Sequence, residues 1–233
     1  MTTQHNAMRV SVFDYGAGNL HSLVKAIETG GVVVHVETDP ARAVRDTDAL
    51  VLPGVGAFTP AAERLAPGIG EMRDALRGGL PCLGICLGMQ LLFDESDEGP
   101  GRGLGIIPGR VVRLAAKRIP QIGWNGLDDA SDPLLRSAGL ETAYYANSYV
   151  CQPARGAGNV VTAWSEHEGE RFPASVRAGN VVGTQFHPEK SSVPGVRFMH
   201  AFLDFARTVR SSNAALPALQ LHSSDLNPDG ERA

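Results

Sequence analysis

The 233-residue sequence predicts an α/β protein: a mostly parallel central sheet with helices on both faces, extended by antiparallel strands in the C-terminal half. Three observations carry this. Short apolar, β-branched runs alternate with helical stripes from residue 8 to residue 93; beyond a charged, glycine-rich link, strand-like runs follow one another; and glycine or proline punctuates most junctions. In order, "MRVSVFDY" (8–15) is a short buried strand, and "GAGN" (16–19) is the turn that follows it. Leu20, Leu23, Val24 and Ile27 then recur at the spacing of one helical face, which Gly30 and Gly31 stop. "VVVHVE" (32–37) is the second strand. After "TDP" a short helical stretch leads to "DALVLPG" (48–54), a third strand whose unbroken apolar run calls for burial on both faces. A helical region covers residues 60–77, "PCLGI" (81–85) is the fourth strand, and residues 87–93 begin another helix. From "DESDEGPGRGLG" (94–105) onward the pattern turns to β: "IIPGRVVRL", "AYYANSYVC", "NVVTAW", "FPASVRA" and "VVGTQF", with a hairpin near "SEHEGERF". A last helix begins near Gly195, with Val196, Met199, Phe202, Phe205 and Val209 as its apolar stripe.

Composition narrows the function classes. A chain with 43% hydrophobic and 20% charged residues buries a substantial core. Residues 8–210 are expected to form one domain, with 1–7 as an extension and the polar, turn-rich 211–233 as a disordered tail. A net charge of −4 gives no surface for a polyanion, so neither nucleic acid nor a membrane is an expected partner. No secretory leader or spanning run is visible, which places the expectation in the cytoplasm. Cys82, Cys86 and Cys151 are too few for a disulfide framework, and the first two, spaced C-x3-C without a second ligand pair, do not make a zinc set. No metal or cofactor is expected; the phosphate-cradling and dinucleotide glycine patterns are both missing.

The chemistry concentrates in two stretches. "Gly84-Ile85-Cys86-Leu87-Gly88" has the form of a nucleophile elbow, where small residues two positions either side let a strand turn sharply into a helix and expose the residue at the tip. Sulfur is the better nucleophile there, and the Leu87 N–H could donate to an oxyanion formed when Cys86 attacks a carbonyl. The same five residues also suit a buried cysteine flanked by unrelated glycines. "GTQFHPEKS" offers a base and its orienting group, since His187 and Glu189 share one face if the extended geometry persists through Pro188. An ordinary solvated His–Glu pair reads identically, and Trp124 and Tyr144 taken alone are equally well core aromatics.

Taken together, "PCLGICLGMQ" and "GTQFHPEK", in this order on this α/β pattern, resemble the class I (triad) glutamine amidotransferases, over residues 8 to about 210. Within them, "YGAGNLHS", "LPGVGAF", "GWN", "NSY" and "HPEKS" are similar to the glutaminase subunits of imidazole glycerol phosphate synthases; the anthranilate-synthase type usually carries PGPG where this chain has Pro53-Gly54-Val55-Gly56. The resemblance implies a flavodoxin-like sheet and hydrolysis of glutamine through Cys86, His187 and Glu189 by way of a thioester. It implies Leu87 and Val55 as backbone oxyanion donors, and Gly54, Gln90, Ser148 and Tyr149 around the substrate. It implies as partner a (β/α)8-barrel cyclase of histidine biosynthesis, forming a heterodimer, with Trp124, Asn125, Tyr144 and Lys190 near the interface. Gln121 and Asn147 depart from the pattern, since many relatives carry His at both positions. Two other expectations stay open: a triad glutaminase serving a different synthase, such as anthranilate synthase, and a non-catalytic binding module of the same fold.

Overall fold

The structure, a computed structural model, describes residues 7–16 and 20–215. Strands β1 (Arg9–Phe13), β2 (Val33–Glu37), β3 (Ala49–Leu52) and β4 (Cys82–Ile85) alternate with helices α1 (His21–Glu28), α2 (Pro40–Ala43), α3 (Phe58–Leu65) and α4 (Ile69–Arg77). The short helix α5 (Leu87–Gln90) follows β4 directly. Then come β5 (Glu95–Ser96), β6 (Gly109–Arg113), β7 (Gln121–Gly126), α6 (Pro133–Ala138), β8 (Thr142–Asn147), β9 (Tyr149–Pro153), β10 (Val161–His167), β11 (Glu170–Ala178), β12 (Val181–Thr184) and α7 (Ser192–Ala215). The central sheet has the order β10-β11-β12-β4-β3-β1-β2; β12, β4, β3, β1 and β2 run parallel, while β11 is antiparallel to both its neighbours.

The period-2 pattern of the strands sorts their side chains onto two cores. Val10, Val12, Ala49, Val51, Leu83 and Ile85 point to the face covered by α1, α6 and α7. Leu50, Leu52 and Cys82 point to the face covered by α3 and α4, so β3 is buried on both sides as its apolar run requires. Antiparallel additions occur as expected at β10 and β11, whose hairpin spans Glu168 and Gly169. Of the other β runs, "VVGTQF" joins this sheet as β12, parallel to β4 rather than as an antiparallel addition to it, and the rest do not: β5-β6-β9 and β7-β8 form two small sheets of their own. "AYYANSYVC" is therefore not one strand but two, broken at Ser148 and paired in different sheets.

Other boundaries moved for local reasons. The helical region from residue 60 starts at Phe58 and is interrupted by a 3-10 turn, Ala66–Gly68, because Pro67 lacks the N–H that a continuous helix would need. The helix expected over residues 87–93 stops at Gln90: the carbonyls of Leu91 and Leu92 accept from Leu104 and Ile106 rather than extending the coil. Helix α7 begins at Ser192, with Pro194 tolerated in its first turn, and continues to Ala215, so the stretch after 211 starts as helix; residues 216–233 lie outside the described residues, as do 1–6 and most of the turn at 16–19. Its buried face is Phe198, Met199, Phe202, Leu203 and Ala206, rotated from the stripe read off the sequence; Phe205 instead stacks beneath the Arg177 guanidinium, 4.5 Å from its ring centre.

Candidate active site

Sheet order makes the site. β4 and β12 are neighbours although about a hundred residues separate them, and Thr184 pairs with Ile85 at their carboxyl ends. The residues just beyond those ends, Cys86 and the 185–189 segment, therefore face each other, where open α/β sheets place their ligand sites. The Cys86 N–H donates to Thr184 O at 2.6 Å and locks the two ends together.

Cys86 has φ 47° and ψ −101°, a conformation costly for any residue with a Cβ. The flanking glycines show why the turn tolerates nothing larger. A Cβ on Gly84 would lie 2.7 Å from Gly88 O, and one on Gly88 would lie 2.1 Å from Leu52 O. Both obstacles are backbone, so the strand, the helix and β3 approach as closely as they do only because these side chains are missing. The neutral alternative of a cysteine among unrelated glycines does not account for that geometry.

His187 is buried, and its Nδ1 lies 2.8 Å from Glu189 Oε1, so the carboxylate accepts from Nδ1 and leaves the other ring nitrogen, Nε2, for Cys86. Burial works against the imidazolium. The hydrogen bonds to Cys86 and Glu189, and the charges behind them, prevail and push its pKa from the ordinary 6.5 up to about 9. Gly54 completes the fit, since a Cβ there would meet His187 Cε1 at 2.8 Å. The other two thiols are different: burial holds Cys82 and Cys151 well above the usual thiol range, and both remain inert core residues.

A cleft of about 220 Å3 opens over the sulfur, lined by Gly54, Gly56, Cys86, Leu87, Gln90, Glu98 and residues 146–149. Of the residues singled out in the sequence, Gly54, Cys86, Leu87, Gln90, Ser148 and Tyr149 meet there. Val55 lines a second pocket on the far side of its loop with Leu20, Glu189 and Lys190. Gln90 Nε2 donates to Tyr149 O at 3.4 Å, and Asn147 Nδ2 donates to the same carbonyl at 3.1 Å.

The remaining residues lie on the β7–β8 ribbon. Trp124 and Tyr144 are cross-strand partners in edge-to-face contact, with ring centres 6.3 Å apart. Trp124 is 56% exposed, which answers whether it packs in a core. Asn125 points to the other side, donating to Glu166 O at 2.6 Å. The sequence reading missed Ile122, 67% exposed on the same face as Trp124; its signal was the alternation Ile122, Trp124 opposite Ala146, Tyr144. It also missed Ser191, whose hydroxyl donates to His187 O at 2.6 Å and accepts from the Tyr144 N–H at 2.9 Å, tying the ribbon to the His187 segment.

The comparison with known proteins decides the family. The sequence profile of glutamine amidotransferase class-I matches residues 11–204. The chain belongs to the class-I glutamine amidotransferases. Among curated relatives of this amidotransferase, the imidazole glycerol phosphate synthase subunit HisH of Halobacterium salinarum is 43% identical over 213 residues, covering 87% of this chain and 96% of that protein. The HisH subunit of a Synechococcus strain is 41% identical over 217 residues, covering 89% and 99%. Solved structures share the fold at low identity: a glutamine amidotransferase (TM-score 0.66, 22% identical, covering 85% of this chain and 98% of that one) and PurLQS from Thermotoga maritima (TM-score 0.63, 19% identical, covering 85% and 99%).

Proposed function

We propose that this amidotransferase is the glutaminase subunit of an imidazole glycerol phosphate synthase. It hydrolyses glutamine to glutamate and ammonia and passes the ammonia to a cyclase subunit, which makes imidazole glycerol phosphate and an aminoimidazole-carboxamide ribonucleotide in histidine biosynthesis. The observation that carries the reading is an elbow cysteine on the wall of a cleft with a buried His–Glu pair acting on it from behind, in a chain about 40% identical to HisH subunits over most of its length.

The chemistry follows from the atoms. His187 Nε2 holds the proton given up by the Cys86 thiol, Cys86 Sγ attacks the carboxamide carbon of glutamine, and the carbonyl electrons move onto oxygen. The Leu87 N–H, first of α5 and without an acceptor inside the helix, stabilises that oxyanion. The second donor is the Val55 N–H, on a loop where Gly56 already has φ 112° and the flanking glycines let the peptide turn. His187 Nε2 gives its proton to the departing nitrogen, the C–N bond breaks, and ammonia leaves a thioester on Cys86. His187 then takes a proton from water, whose oxygen attacks the thioester and releases glutamate. Glu189 keeps the proton on Nδ1 throughout and favours the charged ring. Gln90, Ser148 and Tyr149 hold the amino-acid end of the substrate.

The partner is a cyclase of (β/α)8-barrel fold, and the heterodimer is a cytoplasmic lyase that channels ammonia between its subunits. Among the described residues no helix is long and apolar enough to cross a membrane. The face we assign to the partner is the strip of exposed Ile122, Trp124 and Ala146 with half-buried Tyr144, continued by Lys190 on the Pro188–Lys190 turn. Residues 8–210 act as one unit. In the presence of cyclase and its nucleotide, Cys86→Ala is expected to abolish glutamine-dependent product formation and leave ammonium-dependent formation intact. Loss of both, or of neither, contradicts the proposal.

A further inference from the structure

We propose that Gln185 is a positioning residue for the nucleophile, a second hydrogen-bond donor to the Cys86 sulfur that holds it as the thiolate alongside His187. The proposal rests on the reading of Cys86 as the nucleophile. Gln185 follows the last residue of β12, two residues before His187, and across the bend at residues 185 and 186 both side chains reach Cys86. Its N–H is pinned to Ala174 O at 2.9 Å, fixing where the side chain starts. The side chain is fully buried, and its Nε2 lies 3.4 Å from Cys86 Sγ. Its Oε1 has no hydrogen-bond partner among the described residues.

That orphaned oxygen is the telling feature. If position 185 only had to fill space, methionine would do so without burying a carbonyl that nothing satisfies. An amide at this place makes sense for what its other end does. A thiolate is an acceptor with no proton of its own, and each N–H aimed at it favours the charged form over the thiol. His187 must surrender its proton to the leaving nitrogen during turnover, so it cannot serve as a permanent donor; a neutral amide gives nothing up and stays in place through every step. The amide must present nitrogen rather than oxygen to the sulfur for this to work, which is the orientation found here.

The test uses the full chain and iodoacetamide, whose iodide the Cys86 thiolate displaces, followed as a function of pH by mass spectrometry of the Cys86 peptide. Gln185→Met is expected to move the midpoint of the alkylation profile upward by about one pH unit and to lower glutamine hydrolysis about tenfold or more. Gln185→Glu, isosteric but an acceptor carrying negative charge, is expected to move the midpoint further in the same direction. If Q185M fails to fold, Q185E carries the same comparison. In the wild type the side-chain amide protons of Gln185 are expected to shift in NMR spectra with the same midpoint as alkylation, a readout that needs no variant. An unmoved midpoint in the variants, or amide protons indifferent to the sulfur's charge, overturns the role of Gln185 while alkylation still abolishes hydrolysis. Hydrolysis that survives complete alkylation of Cys86 would instead remove the reading of the site itself.

Discussion

At the scale of single residues, the site is an arrangement of one sulfur, one imidazole and one carboxylate whose properties come from their neighbours. The His187 proton is the most sensitive reporter. With its pKa raised from 6.5 to about 9, the charged ring contributes stability that is fully present below pH 6.5 and lost as pH rises through 9. Glu189→Gln removes one of the charges that hold this proton. The alkaline limb of glutamine hydrolysis should then move down by about one pH unit, and the fall in unfolding free energy across the same interval should shrink. A limb that stays in place in the pH–rate profile would assign the proton's retention to something other than Glu189. How far these residues were legible in the sequence depended on local spacing. Cys86 was marked by its flanking glycines, and His187 and Glu189 by their spacing; the extended geometry expected through Pro188 gives way to a 3-10 turn, Pro188–Lys190, in which the carboxylate still lies 2.8 Å from the ring. Gln185 and Ser191, in the same stretch, carried no such mark, because a buried amide or hydroxyl is defined by what lies opposite it, and the residues opposite come from the β4–α5 turn and β8.

At the scale of elements, the decisive device is the turn from β4 into α5. Its glycines are there to let backbone touch backbone, so Gly88→Ala should destabilise the fold by about 3 kcal/mol or prevent it, read by chemical denaturation. A Cβ 2.1 Å from Leu52 O has no flexible neighbour to displace, and a stable variant would mean that α5 slides without cost. Conversely Cys86→Gly relieves the positive φ and should be more stable than Cys86→Ala by about 1 kcal/mol, both being inactive. The elements themselves were readable to different degrees. The doubly buried strands stood out as apolar runs and α1 and α7 as stripes. β7 did not, since "QIGWNG" places two glycines in a six-residue strand and is held in place by pairing with β8, a partner about twenty residues on. The break at Pro67 had a cause in the sequence that the reading of residues 60–77 as one helical region passed over, whereas the end of α5 was set by amides arriving from residues 104–106, which no local pattern announces.

At the scale of the whole molecule, the parallel order β12-β4-β3 puts three carboxyl ends side by side, and the loops that leave them supply the His–Glu segment, the cysteine and the glycine loop. The β7–β8 ribbon, tied to that segment through Ser191, borders the cleft at Ala146 and Asn147 and carries exposed Ile122 and Trp124 on the face we assign to the cyclase. Trp124→Ala should therefore weaken association with the cyclase by about 2 kcal/mol, roughly thirtyfold in Kd, while leaving the thermal stability of the isolated chain nearly unchanged; titration calorimetry reads the first and a melting curve the second. Undiminished affinity would move the interface elsewhere. The claim beneath all of these is that glutamine's carboxamide becomes bonded to one particular sulfur. The direct measurement is intact-protein and peptide mass spectrometry after treatment with a diazoketone analogue of glutamine. The account predicts a single adduct, on Cys86, with glutamine hydrolysis lost in proportion to labelling and protection by added glutamine. Labelling confined to Cys82 or Cys151, or a fully labelled Cys86 in a chain that still hydrolyses glutamine, would contradict it.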